Sequence, residues 1–186
     1  MTMNRAVFLD RDGVLTRIIV RDGKPYAPLQ RGDMEVIAGV AGALERLRRA
    51  GWLLIVVTNQ PEVARGRTTR AEVEAMHERL AADLGLDDFR VCYHDDVHRC
   101  PCRKPAPGML YQAAVERDIT LADSYMVGDR WRDVSAGHQA GCTTILVESG
   151  HTEDVPMDPD VRVPDLSSAA AWILSRDDAK PGGYVI

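Results

Sequence analysis

The stretch Ala6–Leu15, AVFLDRDGVL, constrains this chain more than any other. An unbroken apolar run leads straight into Asp10, Arg11, Asp12 and Gly13. Such a run reads as a strand buried on both faces, and therefore as a central strand of a parallel sheet covered by helices. Its first polar side chain falls at the strand's carboxyl end, the edge where open α/β sheets bind ligands. Two carboxylates this close together on that edge are costly unless positive charge offsets them, and a divalent cation is the natural candidate.

The same pattern recurs downstream. The polar segment Thr16–Asp33 is rich in Gly and Pro and too short for a cap domain; it reads as a loop-like flap, with Tyr26, Gly23 and Lys24 placed to touch a ligand. Val40–Ala50 has helical spacing, with Ala41, Leu44 and Leu47 on one face and Gly51 as the stop. Trp52–Val57 is a second buried strand that runs into Thr58, Asn59 and Gln60. Thr69–Leu84 is a helix opened by a Thr69/Glu72 capping box and closed by Gly85; His77 inside it reads as structural or solvated. Phe89–Tyr93 and Ser124–Val127 are further strands. The latter ends in Gly128-Asp129-Arg130, with Asp133 one helical turn on. Thr143–Val147, a short edge strand Val161–Val163, and a helix from an Asp165 cap to Leu174 follow, with a frayed tail from Ser175. Strands alternating with helices over 186 residues predict one domain spanning 1–186. Its expected form is a doubly wound, Rossmann-like three-layer α/β sandwich with a mostly parallel central sheet and no large cap domain.

Three of the four cysteines crowd into one segment, C-x-H-x5-C-x-C. Cys92, His94, Cys100 and Cys102 make a complete tetrahedral zinc set with no position left for water, so a structural zinc-binding loop over about 92–102 is expected. His98 competes with His94 for the imidazole position, and Cys142 reads as a small buried residue. Arg103 and Lys104 follow directly, where a closed metal site would fix the backbone that carries them. A net charge of −5 argues against a general nucleic-acid surface. No apolar stretch reaches membrane-spanning length, and the N-terminus shows no signal-peptide pattern, so a cytoplasmic location is expected.

Taken in order, Asp10-Arg11-Asp12-Gly13-Val14, Thr58-Asn59-Gln60, Arg103-Lys104-Pro105 and Gly128-Asp129 with Asp133 resemble the four motifs of the haloacid-dehalogenase-like phosphatases. The likeness runs from Val7 to about Leu174. It implies Asp10 as nucleophile, Asp12 as general acid/base, Thr58 bonded to the transferring phosphoryl group and Lys104 as its counter-charge. It also implies Mg²⁺ held by Asp10, Asp129 and the backbone carbonyl of Asp12, with Asp133 orienting the metal or its waters. A-R-G after T-N-Q, and R-K-P-x-P-G-M-L after the cysteines, resemble the heptose 1,7-bisphosphate branch of the zinc-knuckle subset. There Arg103 would recognise substrate and Arg130 its second phosphate or sugar, with Arg11, Asn59 and Gln60 completing the binding set. Two features depart from that branch. Pro61-Glu62 stands in place of a small Ser-Gly pair, which predicts a stiffer loop and a carboxylate that repels a second phosphate. The His94-to-Cys100 spacing is short, as in the histidinol-phosphate branch. The implied reaction is Mg-dependent hydrolysis of a small phosphorylated metabolite through an aspartyl phosphate, by a monomer or small homo-oligomer. The alternatives are a histidinol-phosphate or other small-metabolite phosphatase, and a catalytically silent, zinc-stabilised binding protein.

Overall fold

A computed structural model of the chain describes residues 3–21, 24–149 and 158–178. The main sheet contains β1 (Ala6–Leu9), β4 (Leu53–Asn59), β5 (Asp88–Cys92), β6 (Tyr125–Gly128), β7 (Thr143–Val147) and β8 (Val161–Val163). Its order is β5-β4-β1-β6-β7-β8, and every pairing in it is parallel. The chain therefore builds outward from β1 on one side and then restarts on the other. The crevice at β1 is the topological switch point where such sheets bind ligands.

Among the described residues, five α-helices cover the sheet: α1 (Val40–Arg49), α2 (Arg70–Leu84), α3 (Gly108–Glu116), α4 (Trp131–Ala140) and α5 (Leu166–Asp178). Side chains alternate across β1, so its two faces feed two cores. Val7 and Leu9 join the cluster that includes Leu44 and Leu47 of α1, Met76 and Leu80 of α2, and Ile173 of α5. Ala6 and Phe8 join Met109 and Leu110 of α3 and Ala136 of α4. These are the three expected layers. Each fully buried side chain of this kind contributes about 1.5–3 kcal/mol of hydrophobic stabilisation. On α1 the buried stripe is Val40, Ala43, Leu44 and Leu47. Ala41 faces solvent instead, because the i, i+3, i+4, i+7 stripe starts at Val40.

Three local expectations need correction. Within the flap, β2 (Ile19–Arg21) and β3 (Lys24–Tyr26) form an antiparallel hairpin, so this segment is more than a loop; Gly23 lies outside the described residues. At the start of α2, the Thr69 side chain accepts from the Glu72 N–H at 3.1 Å, but the capping box is not closed. The Glu72 carboxylate instead accepts from the Arg31 backbone N–H at 2.7 Å, tying the helix to the flap. The expected frayed tail is ordered through α5. Asp177 accepts from Arg5 Nη1 at 2.5 Å and from Trp52 Nε1 at 2.9 Å, long-range partners that local sequence does not announce. Among the described residues, no helix is long and apolar enough to cross a membrane.

Trp52 is 2% exposed, so loss of its acceptor leaves a buried indole N–H unsatisfied. Asp177→Ala is therefore expected to cost about 1–3 kcal/mol in urea unfolding. A change below a few tenths would show that α5 is not anchored there.

Candidate active site

Asp10 directly follows β1, and its backbone N–H continues the ladder by donating to the Val127 carbonyl at 2.9 Å. Lys104 arrives from beyond β5 and is 2% exposed. Its ammonium donates to Asp10 Oδ1 at 2.8 Å and to the Val57 carbonyl at 2.7 Å, and lies 2.6 Å from Asp133 Oδ1. All three ammonium protons thus have an acceptor. Burial alone would lower the Lys104 pKa, but the two carboxylates overcome it and hold the group above its ordinary value. The Lys104 backbone is fixed by Asn59, which donates through Nδ2 to its carbonyl at 2.9 Å and accepts its N–H through Oδ1 at 3.1 Å.

Asp129, at the end of β6 directly after Gly128, and Asp133, in the first turn of α4, reach the same point. Oxygens of Asp10, Asp129 and Asp133 lie within 4.8 Å of one another, all on buried residues. Two glycines make this possible. A Cβ on Gly13, which has φ +97°, would sit 2.1 Å from Asp129 Oδ2. A Cβ on Gly128 would sit 2.1 Å from the Asp133 Cβ. Burial pushes Asp10 up to about 6, with Asp133 and Asp12 adding to the push and Lys104 opposing it. Burial, then Asp10 and Asp133, push Asp129 well above its ordinary range. Three hard oxygen donors, two of them paired with the Lys104 ammonium, in a buried, glycine-cleared cradle fit a small divalent cation such as Mg²⁺.

Asp12 is held differently. Its carboxylate accepts from Arg11 Nε at 3.0 Å and Nη2 at 2.9 Å, from Gln60 Nε2 at 2.9 Å and from Thr16 Oγ1 at 3.0 Å. Burial would raise its pKa, but Arg11 and these hydrogen bonds keep it below the usual carboxylate value. Arg11 is fully buried, so its guanidinium serves Asp12 and faces away from the cavity. Gln60 is also buried; its amide bridges Asp12 and the Thr58 hydroxyl, the latter at 2.9 Å. Neither side chain is placed as the expected substrate contact. Thr58, Asn59 and Tyr26 do line the cavity, which encloses about 230 Å³ above Asp10. Arg11 Nη1 contacts His77 Nε2 at 3.1 Å, and the His77 ring stacks on Phe89 with centroids 4.8 Å apart. The helical histidine is thus structural, a role its polar flanks conceal.

The cysteine segment folds into one cluster. Cys92, Cys100 and Cys102 Sγ and His94 Nδ1 stand 3.3–3.6 Å from one another where paired. His98 is turned elsewhere, its Nδ1 accepting the Asp95 N–H at 3.0 Å. His94 therefore completes the four-ligand set, whose chemistry suits zinc. Arg103 leaves this loop into the cavity, donating to Asp96 Oδ1 at 2.9 Å and to the His94 carbonyl at 3.2 Å. Arg130 and Arg132 line the same rim, and Arg130 Nε lies 3.9 Å from Asp129 Oδ1. Glu62 does not present a bare charge: Arg65 pairs with it at 2.8 Å and Arg67 at 3.1 Å. The repulsion expected from that carboxylate is thus neutralised within its own loop. Residues Glu62, Arg65, Asp96 and Arg132 are rim members that strand-end reading does not reach, because their positions depend on loops meeting in space.

Burial, reinforced by Arg11, drives the His77 pKa down to about 3. An unfolded histidine titrates near 6.5, so between these values the unfolded chain binds more protons and stability falls as pH drops. The loss approaches about 1.4 kcal/mol per pH unit while His77 stays neutral in the fold. His77→Gln, which keeps an acceptor for Arg11, should flatten the decline between pH 6.5 and 4.5 in urea titrations. An unchanged slope would show that this ring does not set acid sensitivity.

Comparison with known proteins agrees with this architecture. A family model described as HAD-hydrolase-like matches residues 101–169. The D-glycero-beta-D-manno-heptose-1,7-bisphosphate 7-phosphatase of Escherichia coli K12 is 36% identical over 183 residues, covering 91% of this chain and 88% of that protein. The D-glycero-D-manno-heptose-1,7-bisphosphate 7-phosphatase of Thermosynechococcus vestitus is 35% identical, covering 91% and 95%. The crystal structure of D,D-heptose 1,7-bisphosphate phosphatase from B. bronchiseptica, complexed with magnesium and phosphate, superposes with a TM-score of 0.79 at 32% identity, covering 92% of this chain and 99% of that one. With a parallel sheet switching at β1, a lysine-bridged carboxylate cluster on its rim and relatives aligned along nearly their whole length, the chain belongs to the haloacid-dehalogenase-like phosphatases, in the family of the heptose-1,7-bisphosphate 7-phosphatases.

Proposed function

We propose that this chain is a magnesium-dependent phosphomonoester hydrolase that removes one phosphate from D-glycero-D-manno-heptose 1,7-bisphosphate through an aspartyl-phosphate intermediate. The observation that carries this reading is the meeting of Asp10, Lys104, Asp129 and Asp133 at the carboxyl end of β1. The substrate follows from the relatives' names, and the paired state of Glu62 leaves room for a second anionic group.

Mg²⁺ would be held by Asp10, Asp129 and the Asp12 backbone carbonyl, with Asp133 orienting it, and it supplies positive charge that offsets repulsion between nucleophile and phosphoryl group. Lys104 keeps one Asp10 oxygen fixed, leaving the other to attack phosphorus in line. A unit-charge pair about 4 Å apart is worth about 4 kcal/mol at an effective dielectric near 20, so Lys104 is the costliest single group to lose. As the Asp10 oxygen–phosphorus bond forms, the ester P–O bond breaks and Asp12 gives its proton to the leaving oxygen. In the free site Arg11 favours ionised Asp12, and an incoming anionic substrate shifts it towards the protonated acid. Asp12 then takes a proton from the water that attacks phosphorus and frees Asp10. Thr58, which lines the cavity, would bond the phosphoryl oxygens, and Arg103 and Arg130, on the same cavity wall, would meet the rest of the substrate. The Cys92, His94, Cys100 and Cys102 set would hold a structural zinc that steadies Arg103 and Lys104.

Magnesium-dependent phosphate release should be fastest with heptose 1,7-bisphosphate in a panel that includes its two anomers, histidinol phosphate and fructose bisphosphate. A preference for histidinol phosphate would overturn the substrate assignment. Asp10→Asn should lower turnover by about a thousandfold or more. Asp12→Ala, given an aryl phosphate, should accumulate a phosphorylated protein visible by mass spectrometry; near-normal turnover in Asp10→Asn would refute the covalent route. Elemental analysis of purified protein should find about one zinc per chain, lost in Cys100→Ser together with thermal stability. Equal zinc in both proteins would remove the metal-loop reading.

A further inference from the structure

Resting on the phosphatase reading, in which the arginine rim meets the substrate's distal phosphate, the geometry points to the Asp96 carboxylate as the group that holds, in the free protein, the seat between Arg103 and Arg132, with Arg65 on its rim. Asp96 acts as an internal stand-in for the substrate's second phosphate and so sets how strongly the site prefers bisphosphates over monophosphates.

Three guanidinium groups from three different segments converge on Asp96. Arg103 Nε donates to Asp96 Oδ1 at 2.9 Å, Arg132 Nη2 lies 3.4 Å from the same oxygen, and Arg65 Nη2 lies 3.8 Å from Oδ2. All four residues line the cavity over Asp10. The arginines are not equally occupied. Arg65 already pairs with Asp95 at 2.5 Å and Glu62 at 2.8 Å, so it closes the rim and stiffens it. Arg103 is 8% exposed and is anchored by the His94 carbonyl. Arg132 is the unsatisfied member: its Nε is buried and has no hydrogen-bond partner among the described residues. A buried guanidinium donor without an acceptor costs free energy that an incoming oxyanion would recover.

Asp96 is suited to yield. Its side chain is 55% exposed, and it sits on the short turn Asp96–His98, so rotation into solvent needs no repacking of the core. A carboxylate brings one negative charge and two acceptor oxygens. A phosphate monoester brings nearly two charges and three oxygens, enough to bond Arg103 and Arg132 together and to reach the orphaned Nε. Withdrawal of Asp96 would also spare that phosphate a like-charge neighbour. A monophosphate gains none of this, since its single phosphoryl group is spent at Asp10.

The test is the ratio of kcat/KM for heptose 1,7-bisphosphate to that for heptose 7-phosphate, which differ only in the distal group, measured with Mg²⁺ in wild type, Asp96→Asn and Arg132→Gln. Asp96→Asn should raise the ratio about fivefold or more, chiefly through KM, and Arg132→Gln should lower it by a similar factor. The wild-type ratio should also fall more steeply with added salt than that of Arg132→Gln. A ratio that stays within about twofold in Asp96→Asn, or that falls, would overturn the stand-in role and leave Asp96 as a strut for Arg103. An unmoved ratio in Arg132→Gln would remove that arginine from the subsite. Hydrolysis of the monophosphate alongside an unmoved ratio defeats only this inference, whereas failure to hydrolyse either compound defeats the phosphatase reading beneath it.

Discussion

One buried ammonium ties this site to the fold. Lys104 Nζ joins Asp10 at the end of β1, the Val57 carbonyl in β4 and Asp133 in the first turn of α4. These are the strands and helix that frame the switch point of the sheet. A buried lysine with this many anionic or dipolar partners stays charged, and buried carboxylates beside it are held at fixed positions. Removing the ammonium would strip Asp10 and Asp133 of the counter-charge they share beside Asp129, which is more damaging than losing any neutral hydrogen bond.

The surrounding structure delivers that ammonium. Asn59 clamps the Lys104 backbone from β4, and the cysteine cluster closes the loop just before it. Gly13 and Gly128 remove the two side chains that would block the approach of Asp129 and Asp133. A second charged layer lies beneath: Arg11 and Gln60 fix Asp12 from inside the protein, and neutral His77 closes the layer off from the helix side. Asp10 and Asp12 are two residues apart in sequence yet see opposite environments. The first is pushed up by burial and neighbouring carboxylates, and the second is held down by a bidentate guanidinium.

Much of this was legible in the chain because a parallel sheet converts apolar runs into a common edge. Asp10, Thr58 and Asp129 each follow such a run, so their meeting could be read from pattern alone. Lys104 follows no strand directly, and its place came only from the resemblance to a known motif. Pattern also failed where side-chain direction mattered. Arg11 and Gln60 lie on the right edge but point into the protein. Glu62 looked repulsive because its partners Arg65 and Arg67 come from a loop whose path no periodicity encodes. Helix α5 outran its expected end because Asp177 finds Arg5 and Trp52 far away in sequence. His98 competed with His94 until the turn at Asp96–His98 gave its ring nitrogen to Asp95.

The central claim is that Asp10, Asp129 and Asp133 form one cation site balanced by Lys104. Isothermal titration of the metal-free protein with Mg²⁺, in wild type and in Asp129→Asn, tests it without any substrate. The account predicts about one Mg²⁺ bound per chain, with affinity at least about tenfold weaker in the variant. Equal Mg²⁺ affinity in the two proteins, or no binding to wild type at all, would contradict it.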